Sequence, residues 1–101
     1  MERRMTYEPL VTLYRDDYNI NYYVELTKYR IVVLEELNDS GEMHPVVDFY
    51  GFANPILSIF AYNITNSLML RISGLYQLTE TQRINDEEKI FRSLQKFFAN
   101  I

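Results

Sequence analysis

Residues 20–37 read INYYVELTKYRIVVLEEL, and the fold class turns on whether this stretch is strand or helix. Tyr22, Leu26, Tyr29, Val33 and Leu37 stand at offsets 0, 4, 7, 11 and 15, which is helical spacing. Against that period stands the density of Tyr, Val and Ile. Such side chains lose rotamer freedom in a helix and pack well on a pleated, half-buried surface. The density favours two strands, Ile20 to Leu26 and Tyr29 to Leu37.

The flanks agree with strands. Upstream, Leu10 to Arg15 is short and β-rich, and Asp16-Asp17-Tyr18-Asn19 has turn chemistry. Downstream, Asn38-Asp39-Ser40-Gly41 is a turn, and Val46 to Tyr50 reads as a further strand after Pro45. The first half is thus expected to be an antiparallel meander of three or four strands.

The second half changes period. Asn54-Pro55 offers an N-cap and a first-turn proline, and Ile56, Leu57, Phe60, Ile64 and Leu68 follow at helical intervals. This helix is expected over about 54–70, with Gly74 as an alternative stop. Leu68 to Ile72 also alternates as a strand would, which would end the helix near Ser67 instead. Asn85-Asp86-Glu87-Glu88 then caps a second helix over about 86–100. Its apolar stripe is Ile90, Phe91, Leu94, Phe97, Phe98 and Ile101, and Lys96 suits the negative C-terminal end. The expected fold is α+β: a small antiparallel sheet packed against two helices, in a single globular domain over 1–101.

Composition removes several functions. The chain has no cysteine and one histidine, which excludes thiolate catalysis and a cysteine-ligated metal. The three glycines, Gly41, Gly51 and Gly74, are too dispersed for a phosphate-cradling loop. No cofactor is expected. No apolar run is long enough to cross a membrane, and Met1 to Met5 is not followed by the apolar stretch of a secretory signal. A cytoplasmic location is expected. Asn38-Asp39-Ser40 and Asn63-Ile64-Thr65 fit the glycosylation pattern by chance.

Charge is unevenly spread. Residues 1–30 balance, 71–101 carry +1, and 31–70 carry −5 with no lysine or arginine. Six of nine tyrosines lie in the first thirty positions. A pI near 4.9 with scattered bases argues against duplex nucleic acid as ligand. Glu35, Glu36, Asp39, Glu42 and Asp48, with Tyr22, Tyr23 and Tyr29 as aromatic anchors, are the expected contacts with a larger protein that presents a basic surface. That pattern suits a small non-enzymatic inhibitor or regulator, of the size and charge found among immunity and mobile-element proteins. Two alternatives stand beside it. One is a self-assembling subunit joined through a strand edge or through Phe91, Leu94 and Phe98 of the terminal helix. The other is a small hydrolase or isomerase that uses His44 with Glu42 or Asp48. No segment carries a motif specific enough to name a family.

Overall fold

The structure, a computed structural model, describes residues 7–27, 30–50 and 57–100. The fold is α+β. Four strands come first: β1 (Glu8–Tyr14), β2 (Asn19–Leu26), β3 (Arg30–Leu37) and β4 (His44–Tyr50). Two helices follow, α1 (Leu57–Leu75) and α2 (Glu80–Ala99). The chain divides into two compact units, residues 1–53 and 54–101. By composition the first carries −5 and the second +1.

The sheet is an antiparallel meander in the order β1-β2-β3-β4. Residues 20–26 and 30–37 are therefore strands, with Ile20 opposite Leu37, Tyr22 opposite Glu35 and Val24 opposite Val33. Because alternate side chains point to opposite faces, this register sorts the sheet. One face collects Val11 and Leu13 of β1, Ile20, Tyr22 and Val24 of β2, Ile31 and Val33 of β3, and Val47 of β4, all buried. The other collects Thr12, Tyr14, Asn19, Asn21, Tyr23, Arg30, Glu36, Asp48 and Tyr50. The edge strands begin earlier than expected, at Glu8 and His44, and so take in Pro9 and Pro45. Proline is tolerated there because an edge strand needs only half its backbone donors. Irregular register at Pro9/Val11 and at Val33/Leu34 marks both edges with a bulge.

The helices differ from expectation at their ends. Asn54-Pro55, the expected start of the first helix, lies outside the described residues. α1 continues past Ser67 and Gly74 to Leu75, so Leu68 to Ile72 is helical. Ala61, Ile64, Thr65, Leu68, Met69 and Ile72 form one continuous buried stripe, and a strand at 68–72 would break it. The second helix starts six residues before the expected Asp86. Thr79 is its cap: Thr79 Oγ1 accepts from the Gln82 amide at 3.1 Å, and the Gln82 side chain accepts from the Thr79 amide at 3.0 Å. This reciprocal capping box satisfies two otherwise orphan donors. Asn85 and Asp86 thus sit inside α2, where Asp86 is buried with Ile90, Leu94 and Phe98. Lys96 occupies the last turn as expected.

Candidate interaction site on the sheet

The polar face of the sheet is organised around Asn21. Its Nδ2 donates to Glu36 Oε1 at 2.9 Å and to Asp39 Oδ1. Its Oδ1 accepts from Thr12 Oγ1 at 2.8 Å and from Asn19 Nδ2 at 3.3 Å. A carboxamide has two donors and two acceptor lone pairs, so Asn21 is fully used while buried. It ties β1, β2, β3 and the β3–β4 turn together.

Glu36 is the second hub. It accepts from Asn21, from Tyr23 OH at 3.2 Å and from the Gly41 amide at 2.8 Å. These donors, Asn21 first, hold its carboxyl below the usual carboxylate range, against burial and the nearby Asp39 charge. Burial, followed by the hydrogen bond to Glu36, pushes the Tyr23 phenol up. The turn reaches this position through three left-handed residues: Asn38 (φ 53°), Asp39 (φ 54°) and Gly41 (φ 82°). Asn and Asp tolerate that region, and Gly occupies it without steric cost. Asn38 also pins the turn to β2, since its Oδ1 accepts from the Asn19 amide at 2.8 Å and its own amide donates to Asn19 O at 2.9 Å.

The same topology places two turns at one end of the sheet. β1 and β3 run towards that end, and β2 and β4 leave it, so the turn after β1 lies beside the turn after β3. The exposed acids Asp16 and Asp17 of the first turn thereby join exposed Asp39 and Glu42 of the second. Tyr14, 70% exposed, stands at this end of β1. Arg15 is the single base of the two turns, and its Nη1 donates to Tyr14 O at 3.0 Å.

The remaining expected site residues are dispersed. Glu35 and Tyr22 lie on the buried face, where Tyr22 OH donates to Glu35 Oε2 at 2.8 Å. Asp48 lies towards the far end and is held bidentately by Arg30, with Nε–Oδ1 at 2.9 Å and Nη2–Oδ2 at 2.7 Å. That pairing holds the Asp48 carboxyl below its usual range, and the guanidinium also sits 5.2 Å from the Tyr50 ring centroid. Tyr29 lies outside the described residues. Of the expected eight, Tyr23 and Glu36 are hydrogen-bonded directly, Asp39 joins them through Asn21, and Glu42 follows in the turn. Asp16, Asp17, Asn21 and Tyr14 belong to this site and were not expected there.

His44 is exposed at the start of β4, its Nε2 3.9 Å from Glu42 Oε2, and both side chains are largely in solvent. Leu94 and Phe98 of α2 are buried and Phe91 is half-buried. Thr65 of the second glycosylation-like triplet is buried, with its hydroxyl donating to Ala61 O at 2.8 Å. Among the described residues, no group of three His, Asp or Glu is placed to hold a metal ion, and no helix is long and apolar enough to cross a membrane. Comparison with protein-family models, curated proteins and solved structures finds no match.

Proposed function

We propose that the chain is a small, non-enzymatic, cytoplasmic binding protein that inhibits or regulates a larger protein, docking the acidic end of its sheet onto a basic surface. The observation that carries this reading is the convergence of Asp16, Asp17, Asp39 and Glu42 at one end beside exposed Tyr14. Like charges repel, so gathering four acids needs a rigid frame. The network through Asn21, Glu36 and Asn38 supplies one, which lowers the entropy lost on docking. Net charge supports it too, since the acidity of the whole chain resides in the sheet unit. Electrostatic complementarity of this kind speeds encounter and fixes orientation, while a rigid aromatic contributes affinity.

The test is affinity capture from native lysate, nuclease-treated, comparing wild type with Asp16→Lys/Glu42→Lys and with Tyr14→Ser. All three positions are exposed, so the fold is retained. A stoichiometric partner that is released by salt, and lost in both variants, is the expected result. A partner held equally by wild type and the charge-reversed variant refutes the reading.

A further inference from the structure

α1 is apolar on two sides. Between Leu57 and Leu75 its only charged residue is Arg71. One side is the buried stripe from Ala61 to Ile72. On the other side Ile59, Tyr62, Asn66, Leu70 and Ser73 recur at offsets 0, 3, 7, 11 and 14. This second stripe is in water: Ile59 is 51% exposed, Tyr62 59% and Leu70 76%. Ile84 of α2, 50% exposed, extends it, and a groove of about 480 Å³ runs between the helices past Tyr62, Asn66, Ile84 and Phe91. A helix with an amphipathic pattern needs one covered face; a helix apolar on two sides calls for two.

We infer that a second copy of this chain covers that face, with α1 packing antiparallel on α1 of its twin about a twofold axis at Asn66. Three observations select this occupant. The stripe is symmetric about Asn66: Tyr62 and Leu70 lie four residues to either side, and Ile59 and Ser73 lie seven. Antiparallel pairing therefore sets Tyr62 against Leu70 of the second copy and bulky Ile59 against small Ser73, as an isologous contact requires. Asn66 meets itself on the axis, where a polar residue at the centre of a helical seam fixes register and oligomeric state. Charge completes the argument. Two copies of an acidic protein must meet on a surface that does not repel itself; the α1 stripe is uncharged, and the adjoining α2 rim is self-neutral, with Arg83 paired to Glu87 at 3.7 Å and Arg92 to Glu88 at 2.6 Å. Two such hairpins joined on this face make a four-helix bundle.

This interface differs from the Phe91–Leu94–Phe98 seam expected from sequence, and it is independent of the acidic sheet end. Its test uses sedimentation equilibrium of the full chain, with Leu70→Glu and Tyr62→Glu as variants. Wild type is expected at twice 12.1 kDa and both variants at 12.1 kDa, with helix content unchanged by circular dichroism. A glutamate in the seam is expected to raise the dissociation constant at least ~30-fold. Because the chain lacks cysteine, Asn66→Cys gives a second reading: oxidation is expected to cross-link it through the twofold axis, while Gln95→Cys, exposed on α2, stays uncross-linked. Wild type at 12.1 kDa across all concentrations overturns the inference. So does a dimer untouched by both glutamates, or one that Cys at position 66 fails to cross-link.

Discussion

Replacing Tyr22 by Phe removes one oxygen atom from the middle of the sheet and leaves the packing of the ring intact. Tyr22 and Glu35 are direct cross-strand partners, 1% and 8% exposed, and the hydroxyl–carboxylate distance is 2.8 Å. The apolar area buried by the ring does not change, so the loss is that of a donor to a buried acid. A hydrogen bond to a charged group is worth about 1.5–3 kcal/mol. Tyr22→Phe should therefore destabilise the protein by about 2 kcal/mol. With a urea m-value of about 2 kcal/mol/M for a small protein, the midpoint moves down by about 1 M. The assay is urea unfolding at pH 7 followed by far-ultraviolet circular dichroism, with the m-value held as a check on the unfolded state. The sharper form is a double-mutant cycle with Glu35→Met. Each single change removes one end of the contact, whereas the double change removes both, so the two losses should fall short of additive by at least ~1 kcal/mol. A midpoint shift below about 0.3 M for Tyr22→Phe, or strict additivity in the cycle, would show that the pair is not a buried hydrogen bond.

Asn21→Ala deletes both donors and both acceptors at the hub of the polar face; a loss of about 2–3 kcal/mol is expected, with faster hydrogen exchange at the Gly41 amide as its local signature. Gly41→Ala meets no neighbour within 4 Å, so its cost is the left-handed backbone alone, about 1 kcal/mol by thermal unfolding, and Gly41→Asn should cost less because Asn visits that region more readily. Thr79→Ala breaks the capping box of α2 and should lower stability by about 1 kcal/mol, readable as fraying in the amide exchange of residues 80–83. Glu36 and Asp48 both titrate below the unfolded carboxylate range when folded. As pH falls through about 4 the unfolded chain binds protons that the folded chain does not. Stability is thus held above that range and lost progressively below it, and urea midpoints that stayed flat or rose on acidification from neutral pH would contradict the network.

The four strands and two helices were legible because each segment's composition agrees with its local period. Residues 20–37 satisfied both templates, and the choice fell to β-branched and aromatic density, a packing property that the sheet register bears out. Ends were less legible. A threonine followed three residues later by a glutamine is not rare in loops. Here Thr79 with Gln82 competes with Asn85 to Glu88, which reads as the better cap until Asp86 is found buried inside the helix. Asn21 was missed for a similar reason. It is one amide in a run of Tyr, Val and Ile, and its role appears only when the register places Thr12 on one side and Glu36 on the other. The one signal available was its parity, since a polar residue between Ile20 and Tyr22 must point away from the face they bury.

The charge pattern shows what a linear count omits. Residues 31–70 contain no base, yet Arg30 stands one position outside that window, and antiparallel pairing of β3 with β4 carries it to Asp48, which it neutralises as a bidentate pair. Glu35 and Glu36, adjacent in sequence, are divided between the two faces by the pleat, one bonded to Tyr22 and the other to Asn21. Three of the five acids are thus absorbed by the fold. Asp16 and Asp17 come from a segment whose net charge is zero, and the meander sets them beside Asp39 and Glu42 because alternate turns of an up-and-down sheet share an end. The negative field that reaches solvent is therefore a product of topology. Substitutions at Glu35, Glu36 or Asp48 act first on stability, whereas Asp16, Asp17 and Glu42 are the positions at which charge can be changed with the frame intact.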